Sequence, residues 1–208
     1  HFLTQSLATN PRVEMGDFLV GVLQSDKPLI QQYALQALVH IKDTDVIDAT
    51  NDLLARKDVM RSTKAYAYYL LASRGMGEEV EDDIHDIIAK GDLSQKEVAA
   101  VALAFIETDT AREAVKNLMT SSDARVHLAA LATDASFGNR ESLAEFVRII
   151  THGKTMNAEV AASAVRRLPD DTIDAVTDEV ILKRIRPDPG ARLLESWRVV
   201  DKDASKVY

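Results

Sequence analysis

Three groups of side chains have types and spacings that chemistry could use. The acidic segment GEEVEDDIHD places Glu78, Glu79, Glu81, Asp82, Asp83 and Asp86 within nine residues. On a helix, Asp82, His85 and Asp86 share one face at i, i+3 and i+4. Two carboxylates and an imidazole so arranged could approach a metal ion, but a closed site needs a fourth ligand, and the spacing offers none. The segment therefore reads as a solvated helix with its acids near the favourable N-terminal end, and no metal is expected.

The second group is AYAYYLL, which holds Tyr66, Tyr68 and Tyr69, three of the chain's five tyrosines. Successive helical residues point about 100° apart, so all three cannot face one core. Tyr68 is expected to pack, while Tyr66 and Tyr69 are expected to reach a surface where tyrosine offers large area and a polar tip. The third group is basic: Lys183, Arg184, Arg186, Arg192 and Arg198, with Arg166 and Arg167 upstream. Tyr66, Tyr69, Arg166 and Arg198 form the candidate partner-binding set. His1, His40, His127 and His152 have no metal or triad spacing. There is also no phosphate-binding glycine loop, nucleophile elbow or HExxH, so no catalytic residue and no cofactor is assigned.

These side chains must be positioned by helices, and the helices repeat. In KEVAAVALAFIE, Lys96 to Glu107, an apolar stripe runs through Val98, Ala99, Ala102, Leu103 and Ile106. Its small residues would let a second helix approach closely. With Ala102 as origin, equivalents fall at Ala37, Ala67, Ala132, Ala164 and Ser196, at intervals of 30, 35, 30, 32 and 32 residues. Fourteen residues before each origin stand Leu23, Leu53, Ile88, Leu118, Ile150 and Leu182, all apolar. Four residues earlier come Leu19, Ala49, Ile84, Ala114, Phe146 and Asp178, apolar except the last. An offset that survives variable intervals is the signature of stacked helical hairpins.

Breakers divide the hairpins. Outer helices are expected over 14–24, 46–56, 78–89, 110–120, 140–151 and 171–185, and inner helices over 28–42, 59–74, 94–107, 123–136, 156–168 and 190–201. The repeats then run 14–43, 46–75, 78–108, 110–137, 140–169 and 171–201 within one domain over 1–208, with 1–13 as the remnant of a preceding unit. Arg166 and Arg198 fall at the same offset, two residues past their origins. Trp197, the one tryptophan, is expected to cap the open end of the stack.

The strings SDARVHLAALA and SQKEVAAVALAFI resemble HEAT repeats, particularly the short bacterial kind found in relatives of phycobilisome lyases. Asp123, Arg125 and Val126 match that pattern, Asp58 and Arg61 match it more loosely, and Asp26 and Asp92 match only its turn position. The fifth unit has Asn157 and Glu159 there, and the sixth has Pro187 and Pro189. The resemblance implies an all-α, right-handed superhelix of about six hairpins, an armadillo-type solenoid whose inner helices line a concave face. Because this is a structural pattern, it constrains function weakly.

Composition sets the remaining bounds. Over 208 residues there are only 8 Gly and 5 Pro, as a nearly all-helical chain requires. No apolar run approaches the roughly 20 residues that span a bilayer, so no membrane insertion is expected. A net charge of −8 opposes a nucleic-acid partner. With no cysteine, the redox compartment stays open, with cytoplasm slightly favoured over periplasm or secretion. The start at His1, with no initiator Met and no leader-like segment, suggests a mature product or a piece of something longer. The expected function is a non-catalytic scaffold that binds a protein or peptide along the concave face, over a floor of Ala100, Val101 and Ala104. Two alternatives stand beside it. One is an enzyme of the HEAT-like kind, attaching bilins or, against the acidic charge, excising damaged bases. The other is a structural segment of a larger polypeptide.

Overall fold

The computed structural model describes residues 15–42, 44–153 and 155–182. Among them every regular element is helical and no strand occurs. None of these helices is long and apolar enough to cross a membrane. The chain divides into two compact units, His1–Ala102 and Leu103–Tyr208, and the division falls inside the reference stretch Lys96 to Glu107.

Unit 1 contains α1 (Gly16–Val22), α2 (Pro28–Val39), α3 (Ile47–Ala55), α4 (Arg61–Leu71), α5 (Gly77–Lys90) and α6 (Leu93–Ala102). α1 packs on α2, α3 on α4 and α5 on α6, so consecutive helices pair as hairpins. The second members also lie side by side, α2 against α4 and α4 against α6.

Side-chain hydrogen bonds fix the direction of that row. Near the helix starts, Gln32 Nε2 donates to Ser62 Oγ at 3.0 Å and to Thr63 Oγ1 at 3.2 Å. At the other end, Arg74 Nη2 donates to the carbonyls of Leu38 and Ile41 at 2.7 and 2.6 Å. Start meets start and end meets end, so α2 and α4 run parallel. These bonds, with Arg56 Nη1 to the Ser25 carbonyl and Arg61 Nη1 to the Lys90 carbonyl, join residues 29 to 36 apart, close to one repeat interval.

Unit 2 contains α7 (Asp109–Leu118), α8 (Ala124–Ser136), α9 (Arg140–His152), α10 (Thr155–Val165) and α11 (Asp170–Leu182). α8 is central and packs against the other four helices. Its residues Leu128 to Ala135 are all buried, and eight consecutive residues cover every direction around a helix axis. Leu131, Phe146, Ile150 and Val176 interleave with Ala132, Ala161 and Ala164 in one apolar cluster.

The helix starts follow local chemistry. Asp123 Oδ1 accepts from the N–H groups of Arg125 and Val126, Asn139 Oδ1 from those of Glu141 and Ser142, and Thr108 Oγ1 from that of Ala111. Asp92 and Gln95 cap α6 reciprocally, each side chain accepting from the other's N–H. The ends depart from expectation. Inner helices expected to reach residues 42, 74, 107 and 168 leave α geometry at Val39, Leu71, Ala102 and Val165. A π-helical turn over Ala72–Met76 follows α4, and a 3₁₀ turn over Leu103–Phe105 follows α6. After α2 and α10, bonds such as Ile41 N–H to the Leu38 carbonyl and Leu168 N–H to the Val165 carbonyl tighten the last turn as the 3₁₀ turn does, whereas the π turn after α4 widens it. Terminal carbonyls have no partner four residues on, and a tighter turn supplies one three residues on. The chain then turns into the next helix at Gly75 and Gly138, whose φ angles of 85° and 86° favour glycine.

The five reference positions within the described residues, Ala37, Ala67, Ala102, Ala132 and Ala164, are all buried. At the upstream offset Leu23, Leu53, Leu118 and Ile150 are buried, whereas in α5 it is Ile87, one residue before Ile88, that takes the core position. The expected remnant over 1–13, the inner helix over 190–201 and the Trp197 cap lie outside the described residues.

Candidate functional site

The candidate residues fall in different surroundings. Arg198 lies outside the described residues. Arg166 follows the last residue of α10 in unit 2 and is half-buried. Tyr66 and Tyr69 share α4 but not an environment. Tyr66 is half-buried, whereas Tyr69 is only 2% exposed and cannot present its ring to a partner. This corrects the expected placement of Tyr69. α4 is packed by α2, α3, α5 and α6, which leaves little of its circumference open. The apolar floor also needs correcting. Ala100 and Val101 are fully buried and Ala104 is nearly so, hence none of the three offers surface to a ligand.

Tyr68, expected to pack, is half-buried and hydrogen-bonded to Asp83. Burial, then the negative charge of Asp83 and the bond to it, and then Asp86 push its phenol up to about 12. A phenol whose pKa is raised in the folded state favours folding fully below the unfolded value of about 10, and loses that contribution as pH rises through the folded value. The alkaline limb of stability between about pH 10 and 12 should therefore flatten in Tyr68→Phe. Urea unfolding followed across that range tests this, and an unchanged limb would remove Tyr68 as its source.

The acidic helix α5 pairs side chains within itself, as well as through Asp83 to Tyr68. Asp86 pairs with Lys90, which holds the Asp86 carboxyl below its ordinary value. His85 Nε2 lies 3.4 Å from Glu81 Oε1, and Asp82 is exposed. Among the described residues no three His, Asp or Glu side chains converge as a metal ion would require.

One feature of unit 1 was not anticipated from the sequence. The inner helices α2, α4 and α6 begin at the three intrahairpin turns, and each beginning exposes a large apolar side chain. Leu29 is 44% exposed, Met60 54% and Leu93 48%. They stand seven to nine residues before their origins, at corresponding places on helices packed side by side. In unit 2, Met156 occupies the same offset and is 74% exposed. Around the unit 1 residues, Arg56 pairs through Nη2 with Asp58 Oδ2 at 2.9 Å and donates through Nη1 to the Ser25 carbonyl, while Arg61 reaches forward to the Lys90 carbonyl. The turns are thereby tied into one edge. Alanine periodicity reports the buried seam and passes over this edge. The readable signal was a large apolar residue just after the turn in the first three hairpins and the fifth, though not in the fourth, where Ala124 stands.

No protein-family model matches the chain. No curated protein matches it either. One solved structure, an engineered protein from the Northeast Structural Genomics Consortium, is similar at 21% identity with a TM-score of 0.39. The match covers 98% of this chain and 64% of that one, and a likeness this loose carries no argument about fold or function.

Proposed function

We propose that this chain is a non-catalytic protein- or peptide-binding scaffold of the HEAT-like α-solenoid type, and that it binds through the turn edge of unit 1. The observation carrying this reading is the exposure of Leu29, Met60 and Leu93 at corresponding positions of three adjacent helices. Scattered apolar residues are ordinary on a surface, but one at the start of each of three adjacent helices makes a row along a single edge. Solenoid character is supported by side-chain bonds that recur at one repeat interval. The edge is favoured over an inner-helix floor because its side chains reach solvent, whereas Tyr69, Ala100 and Val101 do not.

The edge is also preorganised. Its turns are held by hydrogen bonds between hairpins, so a partner orders few backbone groups on binding. Affinity capture with the whole chain, quantified against a Leu29→Ser, Met60→Ser, Leu93→Ser triple variant, tests the reading. Proteins bound at this edge should fall at least tenfold in the triple variant and should persist with Glu113→Ser, an exposed residue of α7. Identical capture by the wild type and the triple variant would discard the edge as the binding surface.

A further inference from the structure

The apolar residues of the edge are set among charges of a definite sign. Across 24–29, 55–61 and 90–93 the three turns carry five basic residues and three acidic ones, in a chain whose net charge is −8. Much of that charge is engaged locally. Arg56 pairs with Asp58, Lys90 with Asp86, and Asp92 is occupied in capping α6. Lys27 and Lys57 differ. Both are exposed, and among the described residues neither ammonium has a carboxylate partner. Lys27 stands two residues before Leu29, and Lys57 three before Met60. The edge therefore offers large apolar side chains beside two exposed lysines that form no ion pair among the described residues, with Asp26 as the one turn carboxylate outside the pairs and cap just named.

Resting on the reading of this edge as a binding surface, we infer that its occupant is an acidic, apolar-rich segment of another protein. Complementary charge raises the encounter rate and rejects basic competitors, while the apolar side chains supply contact area. The chain itself has no suitable occupant. Its strongly acidic segments are α5, whose apolar residues Val80, Ile84 and Ile87 are buried in unit 1, and α11, whose Ile173, Val176 and Val180 are buried in unit 2, so a second copy could bring the acids without the apolar groups. The stretch 183–208 is basic through Lys183, Arg184, Arg186, Arg192 and Arg198, and 1–14 carries a single acid, Glu14, offset by Arg12. The complementary chemistry must come from elsewhere.

A displayed library of random peptides of about 12 residues, about 40 Å long when extended, could cross three helices packed about 10 Å apart. It is panned on the whole chain and counter-selected on the Leu29→Ser, Met60→Ser, Leu93→Ser variant, so that only edge-dependent peptides remain. The expected peptides are rich in Glu and Asp interspersed with Leu, Phe or Met. Their affinity should fall about tenfold in Lys27→Glu, Lys57→Glu, and similarly between about 0.05 and 0.5 M salt, where screening shortens from over 10 Å to a few Å. Edge-dependent peptides that are neutral or basic, or that are indifferent to the lysine reversal, overturn the inference and leave the edge standing. A library yielding no edge-dependent peptide counts against the edge itself and removes the inference with it.

Discussion

Phe146→Ala is expected to lower the stability of unit 2 by about 3 to 5 kcal/mol, the range for removing an aromatic ring from a packed core. Phe146 is fully buried on α9, in the cluster that joins α8, α9, α10 and α11. Its neighbours there include Leu131, Ile150 and Val176 alongside Ala132, Ala161 and Ala164. The alanines matter to the size of the effect. Close helix packing leaves few long side chains able to swing into the vacated volume, so the cavity persists and its cost adds to the lost transfer energy. Phe146→Leu, which keeps most of the volume, should cost about 1 to 2 kcal/mol. Urea unfolding with hydrogen exchange over residues 126–165 measures both variants. A loss below about 1 kcal/mol for the alanine variant is incompatible with this core.

Arg74→Met should cost about 2 to 3 kcal/mol, although it preserves most of the apolar stem and removes no core residue. The Arg74 guanidinium donates through Nη2 to the carbonyls of Leu38 and Ile41, where α2 ends. Burial pushes its pKa below the ordinary value, yet an arginine stays charged at neutral pH. A cation at a helix C-terminus meets both unsatisfied carbonyls and the negative end of the helix dipole. Methionine removes the bonds and the charge together. Lysine keeps the charge but not the fork, and should recover about half of the loss. Exchange protection at residues 36–42 is the local readout. If the methionine variant matches wild type within about 0.5 kcal/mol and protection there is unchanged, Arg74 does not hold the hairpins together.

Arg74 also shows where sequence reading stops. Nothing in ASRGM distinguishes it from a surface arginine, because its partners are backbone atoms 33 and 36 residues away. The side chain acquires its role only when α4 lies beside α2. Tyr69 is the converse case. Its neighbours in the sequence suggested a ring pointing outward, but the packing of α4 on four other helices of unit 1 buries it.

What the sequence determined by itself was local or periodic. The all-helical character follows from few glycines and prolines and a 3.6-residue apolar period. The helix starts follow from Asp92, Thr108, Asp123 and Asn139, whose side chains satisfy N–H groups within three residues. The buried seam through Ala37, Ala67, Ala102, Ala132 and Ala164 follows from small residues at a fixed offset from large ones. Each of these depends on interactions within one or two turns or on one hairpin's own geometry, so the order of residues encodes it directly.

Tertiary structure decided which remaining positions meet solvent. The reference helix is buried at Val98, Ala99, Ala100, Val101 and Ala102 alike, so the side expected to be open is closed. Leu29, Met60 and Leu93, in contrast, are left at the turns. Hydrophobic burial is a property of the whole packed unit, summed over neighbours distant in sequence. A periodic pattern therefore names the face that must be covered, and only the packing shows which other faces are covered with it.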